Sequence, residues 1–154
     1  MSQSDAQAQS LWRLRDGITE SLAPHRPYKN DISVRVSAVP EFLADMQALL
    51  SREYPHFEVV WFGHIGDGNL HINVLKPADL PDAEFIAQCE RVTKLLAETL
   101  ARHEGSISAE HGIGLLKKPY LPYSRTPQEL AVLKALKRAL DPENLLNPGK
   151  VIDP

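Results

Sequence analysis

Two runs rich in β-branched and aromatic residues, Phe57 to Ile65 and Leu70 to Leu75, flank Gly66-Asp67-Gly68-Asn69, and this commits the middle of the chain to a β-hairpin. With Asp67-Gly68 as the two central residues of a type I′ turn, the cross-strand pairs are Gly66 with Asn69, Ile65 with Leu70, and His64 with His71. Opposed side chains in an antiparallel ribbon have β-carbons about 4.5 to 5.5 Å apart, which lets two imidazoles share one divalent ion at about 2.0 to 2.1 Å each. The two-residue period of a strand puts Phe62 and Asn73 on the same face as the histidines. The same residues also suit an ordinary polar surface pair over a good turn, and both readings stay open on the hairpin alone.

The flanking segments give the fold class. Ala8, Leu11, Leu14, Ile18 and Leu22 follow a helical period from about residue 6 to 22, closed by Pro24 and Pro27. Ile32, Val34 and Val36 alternate with polar residues as in a strand that has one buried face. Pro40 suits the start of a helix striped by Phe42, Leu43, Met46, Leu49 and Leu50. A long helix is expected from Asp82 to about His103, with Phe85, Cys89, Val92, Leu96 and Leu100 on one side and Gly105 beyond its end. A fourth strand is expected over Ser106 to Ala109, and Thr126-Pro127-Gln128-Glu129 predicts a capping box ahead of a last helix. Between the two terminal helices the order is βαββαβ. This predicts an α+β, ferredoxin-like domain over residues 1–154: an antiparallel four-stranded sheet with both central helices on one face and residues 141–154 as an extended tail.

The third ligand expected for the ion is Glu110, in Ser108-Ala109-Glu110-His111-Gly112-Ile113-Gly114; a carboxylate beside two imidazoles suits zinc ahead of manganese. Glu110 and His111 can face one site only if the strand breaks there, which Gly112 permits. His25, His56 and His103 carry no partner pattern and are expected in solvent, whereas Cys89, the one cysteine, is expected as a buried thiol. A net charge of −3 with scattered Lys and Arg argues against nucleic acid as a partner. No apolar run of membrane-spanning length and no signal-peptide pattern is present, so the expectation is a cytoplasmic chain, its oligomeric state open.

Three stretches taken together carry a family resemblance: Gly63-His64-Ile65-Gly66-Asp67-Gly68-Asn69-Leu70-His71, Glu110-His111-Gly112-Ile113-Gly114, and Asp141-Pro142-Glu143-Asn144-Leu145-Leu146-Asn147-Pro148-Gly149-Lys150. The chain closely resembles, over nearly its whole length, the C-terminal domain of FAD-linked oxidases of the D-lactate dehydrogenase, glycolate oxidase and D-2-hydroxyglutarate dehydrogenase group. The resemblance implies that a separate N-terminal domain, not found in these 154 residues, holds FAD in the same or a partner chain, and that this domain closes over it to bind a 2-hydroxy acid. It also implies His64, His71 and Glu110 as metal ligands, His111 as the base, Asn73 as a substrate contact and Asn147 as a residue reaching the flavin. Leu11-Trp12-Arg13-Leu14-Arg15-Asp16-Gly17-Ile18-Thr19-Glu20 and Leu70 to Val74 look most like the D-2-hydroxyglutarate branch. There Arg15, Thr19 and Lys29 would hold the remote carboxylate of a dicarboxylate substrate, leaving D-lactate or glycolate as the other substrates. Two further classes fit the residues alone: a flavin-independent metal hydrolase and a non-catalytic ligand-binding module.

Overall fold

The computed structural model describes residues 2–154. Three strands, β1 (Tyr28–Ser33), β2 (Val59–His64) and β3 (Asn69–Val74), form an antiparallel sheet in the order β1-β3-β2. Two helices, α3 (Val39–Glu53) and α4 (Asp82–Arg102), carry the apolar stripes foreseen for them and cover one sheet face. That face presents Ile32, Leu70, Ile72 and Val74 to Phe42, Met46, Cys89, Val92 and Leu100, closing a core in which Phe42, Met46, Ile72 and Leu100 are fully buried. Cys89 lies in this core, where burial pushes its thiol pKa up to about 11.

The expected four-stranded sheet is corrected to three strands. The segment assigned to a fourth strand meets the outer edge of β1 at one point, where Ser106 and Ser33 exchange both backbone hydrogen bonds. It then leaves the ladder because its polar groups find other partners. The Ser106 hydroxyl bonds within its own turn to the carbonyl of Ser108, Ile107 N–H donates to the Ser124 hydroxyl, and the next amides turn toward β1's Asp31. β1 also lies earlier than expected. The Ile32-Val34-Val36 alternation ends at Val34, whose N–H donates to the carbonyl of Gly68, and Val36–Ala38 form a 3₁₀ turn into α3.

The first helix is two: α1 (Asp5–Asp16) and α2 (Ile18–Leu22), divided at Gly17, the weakest helix former in that stretch. No residue of α1 is buried, and Leu11, Trp12 and Leu14 are exposed. The helix α5 (Pro127–Leu140) opens with the predicted capping box, Thr126 and Glu129 each satisfying the other's backbone N–H. Residues 141–154 run as successive turns. Asp141 accepts the amides of Leu145 and Leu146 and pairs with Lys137, and Lys118 bonds the carbonyl of Gly149. Among the described residues no helix is long and apolar enough to cross a membrane.

Candidate metal and substrate site

The sheet face turned away from α3 and α4 carries Lys29, Asp31 and Ser33 from β1, Phe62 and His64 from β2, and Asn69, His71 and Asn73 from β3. The hairpin that builds it has a register different from the expected one. His64 pairs with Asn69, Gly63 with Leu70, and Phe62 with His71, leaving Ile65 to Gly68 as a four-residue loop. Asp67 N–H donates to the His64 carbonyl, Gly68 N–H to that of Ile65, and the Asp67 carboxylate accepts the amide of Asn69, so two successive turns replace the two-residue one. Gly68 adopts φ +73°, and a β-carbon there would lie 1.9 Å from the Val34 carbonyl oxygen, so the loop requires glycine at this point.

A shift of two residues keeps every side chain on its face but moves His64 from opposite His71 to its diagonal neighbour. Their rings stand 6.3 Å apart between centroids and nearly perpendicular, and Phe62 occupies the place across from His71, its ring at 4.9 Å.

Glu110 and His111 reach this face from the broken strand. His71 Nε2 lies 3.3 Å from Glu110 Oε1, and His111 Nε2 lies 3.8 Å from the same oxygen. Behind the two rings is Asp31, 1% exposed, with Oδ1 3.6 Å from His71 Nδ1 and Oδ2 3.6 Å from His111 Nδ1. One ligand atom from each of Asp31, His71, Glu110 and His111 lies within 4.8 Å of the others. Two ligands of a tetrahedral ion at about 2.0 to 2.2 Å stand about 3.3 to 3.6 Å apart, so the His71 to Glu110 spacing fits a ligand pair as well as a direct imidazole–carboxylate contact. Nitrogen and oxygen donors together are of the kind that hold divalent cations.

Burial holds the His71 pKa below the usual imidazole value, and the Asp31 and Glu110 carboxylates only partly oppose it, so the ring is neutral and able to ligate near pH 7. Burial alone would raise the Asp31 pKa. The backbone amides of His111 and Glu110, with the charge of Lys117, outweigh it and hold this carboxyl below the ordinary aspartate range. Lys117 Nζ contacts Asp31 Oδ2 at 3.3 Å and donates to the Asp31 carbonyl at 3.1 Å.

A cavity of about 140 Å³ opens over this cluster, lined by His71, Glu110 and His111 and also by Thr19, Lys29 and Asn73. It has room for a small acid, whereas drug-sized ligands occupy about 300 to 1,000 Å³. Asn73 is 2% exposed, and its amide Nδ2 has no hydrogen-bond partner among the described residues.

The family described as FAD linked oxidases, C-terminal domain, matches residues 1–151. The chain belongs to that family. It is 64% identical over 153 residues to the D-2-hydroxyglutarate dehydrogenase of Xanthomonas citri pv. viticola, covering 99% of this chain and 32% of that protein. It is 52% identical over 151 residues to the enzyme of the same name from Stutzerimonas stutzeri, covering 98% and 32%. A mitochondrial D-2-hydroxyglutarate dehydrogenase of Arabidopsis thaliana is 37% identical over 153 residues, covering 99% and 26%. The chain thus spans about a third of the length of the first two of these relatives.

Within this FAD-linked oxidase domain the residues singled out in the sequence fall into three groups. His71, Glu110, His111, Asn73, Lys29 and Thr19 line one cavity. His64 shares the face but stands outside the four-residue cluster, and its Nε2 is 3.1 Å from Arg15 Nη2; Arg15 also pairs with Asp16. Asn147 sits in the tail turns at φ +49°, its side-chain oxygen bonded to Lys150, and is not among the cavity residues.

Two participants escaped sequence reading. Asp31 lies in the polar half of an alternating strand, and that alternation was its only sign; Lys117 gave none. His103, expected in solvent, has a side chain only 8% exposed, which contacts Asp45 at 2.9 Å across the α3–α4 seam.

Proposed function

We propose that this chain is the substrate- and metal-binding part of a flavin-dependent dehydrogenase that oxidises D-2-hydroxyglutarate, or a closely similar D-2-hydroxy acid, to the 2-oxo acid. The observation that carries the reading is the meeting of His71, Glu110 and His111 at a small cavity also lined by Lys29, Thr19 and Asn73. Family membership and the names of the relatives support the reaction class.

In this reading His71 and Glu110 hold a divalent ion, zinc by donor type, with His64 from the same face as third ligand. When bound, such an ion stabilises negative charge developing on the substrate's C2 oxygen and orients its carboxylate. His111, half-exposed at the cavity, takes the hydroxyl proton on a ring nitrogen. Lys29, across β1 and β3 from Asn73, attracts the carboxylate farthest from the reacting carbon, with Thr19 and Arg15. Asn73 donates its unpaired amide to substrate oxygen. FAD, when bound mainly by another domain, supplies the hydride acceptor, and Asn147 reaches toward its ring.

Metal content after purification and dialysis tests the ligand set. His71→Ala and His64→Ala should lose the ion, and His111→Ala should keep it. Equal metal in wild type and His71→Ala would overturn the reading. Retention by His64→Ala with loss by His111→Ala would exchange the roles of these two histidines.

A further inference from the structure

Asp31 is the most buried charged residue of the chain, and the reaction outlined above gives it no part. Its oxygens have divided tasks. Oδ2 accepts the backbone amides of Ala109 at 3.2 Å, Glu110 at 3.1 Å and His111 at 2.9 Å, and the Ser108 hydroxyl and Lys117 ammonium lie 3.3 Å away. Oδ1 is buried without a hydrogen-bond partner among the described residues and faces His71 Nδ1.

Three consecutive amides converging on one anionic oxygen form a concave nest, and with the Ser108 hydroxyl, which donates to the Gly112 carbonyl at 3.0 Å, that nest shapes the 109–111 turn. This segment has a single bridge to the sheet, at Ser106, so no ladder fixes where Glu110 and His111 point. Both rings also have the same polarity. His71 and His111 each turn Nδ1 toward Asp31 and Nε2 toward Glu110. A carboxylate only accepts hydrogen bonds, so it favours the proton on Nδ1 and leaves the Nε2 lone pair facing the cavity. Oδ2 is already surrounded by donors, which leaves it no free lone pair for an ion.

We propose that Asp31 is a positioning residue, whose one buried carboxylate shapes the Glu110–His111 turn and sets the tautomer of His71, so that both imidazole Nε2 atoms face Glu110. The inference rests on reading the cluster as a cation site, but its structural half can be tested without any ion.

The test compares wild type with Asp31→Asn in the 154-residue chain, by ¹⁵N NMR of the histidine rings and by zinc titration. The substituted amide keeps the shape and one acceptor oxygen for the turn, but removes the charge and can present a donor to His71 Nδ1. Expected in wild type is a His71 protonated on Nδ1. Expected in Asp31→Asn is a shift toward the Nε2-protonated form and about 10- to 100-fold weaker zinc binding. Equal zinc affinity and an unchanged tautomer in the two proteins overturn the proposal. A wild type that binds no zinc, with the tautomer change present, sinks the cation reading and leaves the positioning role standing. Should Asp31→Asn not fold, wild type decides alone: a His71 carrying its proton on Nε2 overturns the proposal.

Discussion

Asp31 and Ile32 are neighbours on one strand and almost equally hidden, at 1% and 2% exposure, yet they belong to opposite faces of the sheet. Ile32 belongs to the apolar core shared with α3, α4 and β3, the usual source of folding free energy. Asp31 is surrounded by amides, a lysine and two imidazoles, and on its face Asp31 Oδ1, Asn69 Oδ1 and Asn73 Nδ2 are buried with no partner among the described residues. Each such atom costs about 1 to 3 kcal/mol. One face therefore supports the fold through apolar contact, and the other carries buried polar atoms that such contact does not satisfy. Among the described residues three of the four buried polar side-chain atoms without a partner lie on this face, the fourth being Asn144 Oδ1 in the tail.

That contrast can be broken by substitutions that separate function from stability. The largest effect is expected from His111→Ala in the flavin-containing enzyme: turnover should fall about 10²- to 10⁴-fold, the usual worth of a positioned base. Because the ring is half-exposed, its melting temperature should stay near that of wild type; a large drop would mean that the two faces are not separable. Next in size is Ile72→Ala on the covered face, which should lower stability by about 2 to 5 kcal/mol in denaturant titration, with Ile72 at 0% exposure.

Smaller effects sharpen the comparison. Lys29→Met should raise KM for a dicarboxylic hydroxy acid about 10-fold or more with kcat little changed, since one charged hydrogen bond is worth about 1.5 to 3 kcal/mol. An equal change for a monocarboxylic substrate would remove Lys29 from the remote-carboxylate role. Asn73→Leu replaces an unpaired buried amide by an apolar group of similar size, so stability should hold or rise while substrate affinity falls. Loss of stability there would show that the amide is satisfied in the free protein. Leu14→Ser, on a helix with no buried residue, should change stability by less than about 0.5 kcal/mol.

Much of the covered face was readable because its signals are local. The stripes of Phe42, Met46 and Leu50, or of Phe85, Cys89 and Val92, repeat within a few residues, and the Thr126 capping box lies within four. The candidate site was readable only in part. His71, Glu110 and His111 carry chemistry in their residue types, so the sequence could nominate them. The error was in the pairing of His64, because Gly66-Asp67-Gly68 accommodates both a two-residue and a four-residue loop, and the choice turns on Gly68 bonding to Val34.

By itself, then, the sequence determined the helices α3, α4 and α5, which strand faces are apolar, that residues 57–75 make a hairpin, and which side chains could ligate or move a proton. Tertiary structure alone decided the register of that hairpin, the ending of the fourth strand after a single bridge, and the burial of Asp31 beneath the turn at residues 109–111. The physical reason is range. Periodicity and capping act between residues a few positions apart, whereas a carboxylate that gathers amides nearly 80 residues away is placed only when the sheet has brought both segments together.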